Sequence, residues 1–317
     1  MKSKKIIFCT IFLCICIISF ICLFFIGNTK KHDSNKIVNI VFTTDINYKN
    51  YLKTTLRSAI ASKNEDSVYN INIICVDLSE KDCNVYKKFE TKNVNINHVP
   101  VKLDSIKDVG NYEIEYRVTR ADLFKFFMPD LFPDLDKILY IDVDTAIVKD
   151  LTELYNTDLK DKFIAVVNKP IKDYKTILIG DKFYPKEVQK YNCGVILYNL
   201  NLWRKYGISD KLVHEKNIDE DRELMTQNIF NNVLSQDKII KLAPVYNVMV
   251  QWNDIMYKRY FSVFAYFPYC ATHSCRFEKL LDNAVIIHYL DREKAWERRN
   301  YLSNYWSKYL KDEDYNK

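Results

Sequence analysis

Residues 129–144 read PDLFPDLDKILYIDVD. The run Lys137 to Ile141 (KILYI) has the composition of a buried strand. It ends in Asp142-Val143-Asp144. Alternate residues of an extended chain point the same way, so both carboxylates can share one hard divalent cation. Ligands of open α/β sheets bind at the carboxyl ends of the strands. A cation there neutralises charge on a diphosphate leaving group. A bare Asp-x-Asp after a strand also describes a solvated acidic turn, and the preceding LDKILYI is what favours the ligand reading. Phosphatases of the haloacid dehalogenase class place Thr or Val four positions after the first Asp. Here that position is Ala146, and the motif falls mid-chain rather than opening a domain.

Outward from this strand, the chain alternates. Lys36 to Thr44 (KIVNIVFTT) reads as a strand. Tyr48 to Ser62 carries Leu52, Leu56, Ala59 and Ile60 at helical spacing. Asn70 to Asp77 reads as strand, Lys81 to Thr91 as helix and Val94 to Val99 as strand. This order predicts an α/β domain whose first strands are parallel. Thr119 to Met128 reads as a helix that stops before Pro129. Phe163 to Val167, Cys193 to Tyr198 and Ala284 to His288 read as further strands, and Asp221 to Leu234 as a helix.

Residues 6–26 form a run of 21 residues without a charge. That is enough to cross a bilayer core of roughly 30 Å. Large residues stand where a signal-peptide cleavage site would need small ones, so the run reads as an uncleaved transmembrane anchor. Lys2, Lys4 and Lys5 favour a cytoplasmic N-terminus, and Lys30 and Lys31 pull the other way. The expected organisation is a cytoplasmic tail (1–5), an anchor (6–26), a polar stalk (27–36), the α/β domain (37–296) and an aromatic, basic tail (297–317). That tail reads either as an interfacial membrane helix or as a helix packed on the domain.

The net charge of +6 is spread without a basic stripe, which argues against a nucleic-acid partner. Of nine cysteines, Cys9, Cys14, Cys16 and Cys22 lie in the apolar span. The remaining five include no Cys-x-x-Cys, so neither a zinc cluster nor a full disulfide framework is indicated.

Five segments, taken in order, resemble glycosyltransferase family 8, a family that contains lipopolysaccharide galactosyl- and glucosyltransferases and glycogenin. They are FTTDINY (Phe42 to Tyr48), RADLFKFFMP (Arg120 to Pro129), the DVD motif, YNCGVILYNL (Tyr191 to Leu200) and IIHY with KAW (Ile286 to Tyr289, Lys294 to Trp296). The resemblance implies a GT-A fold, Rossmann-like with a mixed central sheet. It also implies a metal-dependent retaining hexosyltransferase that uses a UDP-sugar donor and a glycan or glycolipid acceptor. A degenerate, membrane-tethered sugar-nucleotide-binding or scaffold protein is the alternative.

Carried over residue by residue, the resemblance gives Thr43, Asp45, Asn47 and Tyr48 to the uracil and ribose. Lys125, in place of the family's usual Arg, falls to the donor sugar and diphosphate, with Arg120 as the other candidate. Asp142, Val143 and Asp144 fall to the donor, and Lys294 to its diphosphate. Asn192 falls to the donor sugar and Gln227 to the reacting centre, these two being the catalytic pair. Asp142, Asp144 and His288 fall to the metal. A histidine beside two carboxylates suits Mn²⁺, with Mg²⁺ as the second candidate. Thr226 stands where relatives carry an acid, Lys169 or Asn168 at another such position, and Ala295 where they carry Pro. The sugar pocket therefore departs further from the family pattern than the metal site does.

Overall fold

The computed structural model describes residues 36–102, 120–168, 191–218, 225–250, 277–290, 294–297 and 302–311. The chain divides at Asn35/Lys36, and every described residue belongs to the unit Lys36–Lys317. The expected anchor (6–26), the tail before it and all of the stalk but Lys36 lie outside the described residues. So do Lys169, Cys270, Cys275 and Asp291, and nothing of Arg120's side chain is described. Among the described residues no helix is long and apolar enough to cross a membrane.

The main sheet is built from β1 (Ile37–Thr44), β2 (Val68–Val76), β3 (Val94–Val101), β4 (Lys137–Ile141), β6 (Ile164–Asn168), β7 (Tyr191–Asn199) and β8 (Ile239–Lys241). Its order is β3-β2-β1-β4-β7-β6-β8. Strand β1 runs parallel to β2 and β4, and β2 parallel to β3. Strand β7 runs antiparallel to both β4 and β6, so the sheet is mixed. Alternation along the strands explains why both faces are covered. Leu139 and Ile141 of β4 join one core cluster, while Ile138 and Tyr140 join the other. The parallel register of β1, β2 and β3 is marked by an amide ladder. Asn95 Nδ2 donates to Asn70 Oδ1 (2.8 Å), and Asn70 Nδ2 donates to Asn39 Oδ1 (3.0 Å).

A second sheet places β10 (Ile286–Tyr289) between β5 (Thr145–Ile147) and β9 (Val248–Val250). Strand β5 starts directly after the Asp-x-Asp, and β10 pairs with it so that His288 faces Thr145. Helix α1 (Lys49–Ser62) buries Leu52, Leu56 and Ala59 as its spacing requires, along with the polar Thr55 and Ser58. Those two hydroxyls are spent on the backbone beside the motif. Thr55 Oγ1 lies 2.6 Å from the Val143 carbonyl, and Ser58 Oγ accepts from Ile147 N–H (3.0 Å).

Two helix expectations are corrected. The 81–91 stretch is an α-helix over Glu80–Asn84, capped by Ser79, followed by a 3₁₀ turn over Val85–Phe89. The 3₁₀ turn aligns positions three apart. Buried Tyr86 and half-buried Phe89 thereby face the same core. Pro129 does not end the helix before it. Arg120–Phe127 is 3₁₀, and Pro129 lies in the first turn of a short α-helix, Met128–Leu131. The missing proline N–H costs nothing at that position.

The described part of the tail settles between its two readings. Leu302 and Trp306 are fully buried against the second sheet, and Tyr289 Oη donates to the Leu302 carbonyl (2.8 Å). Trp296 stacks on Tyr51 at 3.9 Å between ring centroids. These rings face the domain. Replacing Trp306 by Ala empties a packed site, so Trp306→Ala is expected to cost about 3–5 kcal/mol in urea unfolding. A loss below about 1 kcal/mol contradicts this docking.

Candidate active site

The topology gathers the site at the carboxyl ends of β1 and β4, which are neighbours in the sheet. Asp142 N–H donates to the Gly194 carbonyl (2.8 Å), which brings β7 alongside. Tyr289 N–H donates to the Asp144 carbonyl (3.0 Å), which brings β10 alongside. Single donor atoms of Asp142, Asp144 and His288 all lie within 4.8 Å of one another. His288 Nε2 is 3.2 Å from Asp144 Oδ1 and 3.8 Å from Asp142 Oδ2. Ligands on an octahedral ion with bonds of roughly 2.1 Å are spaced about 3–4.2 Å apart; both His288 distances fall in that window, so these three residues could hold a divalent cation.

Each ligand is held from behind. Tyr140 Oη donates to Asp142 Oδ1 (2.8 Å). The Lys125 ammonium reaches the same oxygen at 2.9 Å, Asp122 at 3.1 Å and the Tyr140 ring face at 4.9 Å. Burial opposes the charge on Lys125, but Asp122 and Asp142 outweigh it and hold the amine protonated. One point charge thus bridges two carboxylates, where a guanidinium would offer a planar fork. Burial likewise opposes ionisation of Asp144. Lys294 and His288 overcome it and hold the carboxyl far below the usual range.

Gly194 is required by close approach. A Cβ added there would lie 2.0 Å from His288 Cε1 and 2.7 Å from both His288 Nδ1 and Asp142 Oδ2. The small-residue reading of Cys193-Gly194 thus has a concrete cause in the packing of β7 against the acidic pair.

The remaining expected residues divide. Asn192 and Gln227 come together, with Asn192 Nδ2 donating to Gln227 Oε1 (3.4 Å). Gln227 Nε2 is buried without a hydrogen-bond partner among the described residues, as is Thr43 Oγ1 at the end of β1. Lys294 Nζ lies on Asp144 Oδ2 (2.7 Å) and the Tyr289 carbonyl (3.1 Å). Tyr48 faces the acidic centre, and burial, then Asp144, pushes its hydroxyl well above the usual range. Asp45 is occupied locally, its Oδ1 accepting from the Asn47 and Tyr48 N–H groups (2.9 and 3.1 Å) ahead of α1. Asn47 is exposed. Val143 turns its side chain into the core.

Sequence reasoning missed Asn247 and Thr55. Asn247 is fully buried, with Nδ2 donating to Asn192 Oδ1 (2.9 Å) and Oδ1 facing His288 Nδ1 (3.1 Å). The signal was present: a single amide inside the apolar run VYNVMV (Val245 to Val250). A buried polar group in such a run needs partners.

The acidic pair after β4 thus meets a buried histidine of the second sheet, an amide of β7 and an amide of the helix Met225–Val233, on a fold of the GT-A type. The family model of Glycosyl transferase family 8 matches residues 39–300, and the chain belongs to that family. General stress protein A of Bacillus subtilis is 23% identical over 274 residues, covering 83% of this chain and 88% of its own length. Glycosyltransferase GlyA of Streptococcus pneumoniae is 24% identical over 270 residues, covering 85% of this chain. The match spans only 34% of GlyA's length. Among solved structures, the galactosyltransferase LgtC in complex with donor and acceptor sugar analogues superposes with a TM-score of 0.64 at 20% identity. That superposition covers 87% of this chain and 98% of LgtC. At this identity it establishes the fold.

Proposed function

We propose that the protein transfers a hexosyl unit from a UDP-sugar to a glycan or glycolipid acceptor, with retention at the anomeric carbon and in dependence on Mn²⁺. The observation that carries this is the convergence of Asp142, Asp144 and His288 beside the buried Asn192–Gln227 pair. Bound between these three ligands, the cation would neutralise charge on the departing diphosphate. The chain's own residues do the rest. Lys294, drawn to Asp144 by charge, stands ready to shift its ammonium to a phosphate oxygen. Lys125 holds Asp142 Oδ1 in place at 2.9 Å. The buried Nε2–H of Gln227 offers a donor to an oxygen of the sugar or its leaving phosphate. Thr226, rather than an acid, directly precedes Gln227 in the chain. Front-face attack assisted by the leaving phosphate therefore fits these residues better than a covalent intermediate.

The apolar run at 6–26 supports single-pass membrane anchoring with a cytoplasmic N-terminus. One preparation tests both readings. Full-length protein is expected to stay in the membrane fraction through an alkaline carbonate wash. It is then expected to release UDP slowly from at least one of a panel of UDP-sugars, only when Mn²⁺ is present. Release of the protein by the wash overturns the anchor. No UDP release from any donor, with no Mn²⁺-dependent UDP binding, favours the degenerate sugar-nucleotide-binding protein.

A further inference from the structure

We infer that Asn247 is a positioning residue that locks His288 in its metal-binding tautomer and ties it to the sugar-side amides. The deduction starts from a group that can only donate. Gly194 N–H points at Asn192 Oδ1 (2.8 Å), so that atom is the amide oxygen. The same oxygen faces Asn247 Nδ2 at 2.9 Å, which makes that atom the NH₂ group. Asn247 Oδ1 then faces His288 Nδ1 at 3.1 Å. A carbonyl oxygen only accepts, so Nδ1 carries a hydrogen, and in the neutral ring that a metal requires the lone pair then falls on Nε2. Nε2 is the atom aimed between Asp144 and Asp142. In the other direction, Asn192 Nδ2 must donate to Gln227 Oε1, which leaves Gln227 Nε2 as the unpaired donor.

One backbone N–H therefore sets the orientation of three amides and one imidazole, across four separate elements: β7, the helix Met225–Val233, the turn before β9, and β10. The Asn247 side chain joins His288 to Asn192 directly. It is fully buried, so its amide is shielded from exchange with solvent. Partners behind a metal-ligating histidine fix its tautomer and ring orientation. Asn247 would do this for His288 while holding Asn192 in place for the sugar.

This inference rests on the metal-dependent reading above, and the test separates the two. Mn²⁺ affinity is measured by electron paramagnetic resonance on the full-length protein, with Asn247→Ala and Asn247→Asp beside wild type. Affinities for UDP and for the UDP-sugar that wild type hydrolyses fastest are measured at saturating Mn²⁺. Asn247→Ala is expected to weaken Mn²⁺ binding by about 10–100-fold. Asn247→Asp keeps an oxygen for His288 Nδ1 but has no donor for Asn192. It is expected to hold Mn²⁺ within about threefold of wild type. It should also hold UDP as wild type does and lose roughly tenfold for the UDP-sugar, because a carboxylate oxygen then faces the Asn192 amide oxygen with no hydrogen between them. Wild-type Mn²⁺ affinity in a folded Asn247→Ala overturns the inference. So does an Asn247→Asp protein that loses Mn²⁺ and sugar equally, and this variant decides alone if the alanine variant does not fold. A wild-type protein that binds no Mn²⁺ overturns the metal reading itself.

Discussion

Gly194→Ala is expected to abolish Mn²⁺ binding and sugar transfer together while the sheet stays folded. The added methyl would sit 2.0 Å from His288 Cε1, far inside van der Waals contact. The ring cannot retreat cheaply, because its Nδ1 is held by Asn247 and its strand is paired on both sides. Nor can β7 retreat, since the Gly194 carbonyl accepts from Asp142 N–H and the strand is paired with β4 and β6. Overpacking of this kind costs about 1–3 kcal/mol in stability. The functional loss is much larger, because displacing His288 removes one of three metal ligands and tilts Asp142. Activity is expected to fall by about 10³-fold or more. Mn²⁺ titration, thermal melting and UDP release measured on one preparation check this. A variant within threefold of wild type contradicts the packing of β7 against the site.

Asp144→Asn is expected to lower activity by a similar factor, about 10³-fold, for an electrostatic rather than a steric reason. The side chain keeps its shape and one oxygen but loses its charge. Ionised Asp144 is paired with Lys294 at 2.7 Å and with His288 at 3.2 Å. Its loss leaves a half-buried ammonium beside a ligand set that is one negative charge short. Mn²⁺ affinity is expected to fall with activity, and the fall should persist at saturating donor. If KM alone rises and Mn²⁺ binding is unchanged, the acidic pair serves the donor through some contact other than the metal.

The parts of the site that sequence made legible are those whose signal is local. An apolar strand running into Asp142 and Asp144 announces itself, because burial of KILYI and exposure of its carboxyl end are both written in consecutive residues. His288 at the end of AVIIH was legible for the same reason. Its distance to the acids was not, because that depends on β10 pairing with a three-residue strand, β5, too short to read. Asn247 was invisible as a site residue since its two side-chain partners, Asn192 and His288, come from two other strands and are set only by assembly. The split of residues 80–89 into two kinds of helix reflects where Tyr86 and Phe89 find their core, a tertiary demand that propensity does not carry. Asp45 shows the converse. Its motif resembles a nucleotide contact, yet the local chemistry of a carboxylate ahead of a helix already employs one of its oxygens. The anchor at 6–26 was read from hydropathy alone and is tested by extraction rather than by the fold.

The most direct test of the account is a crystal structure of the protein grown with Mn²⁺ and UDP, with diffraction data collected at the manganese absorption edge. The account predicts one strong anomalous peak within bonding distance of Asp142, Asp144 and His288 Nε2, touching the UDP diphosphate. Bound UDP with no peak there, or manganese held by other residues, would contradict it.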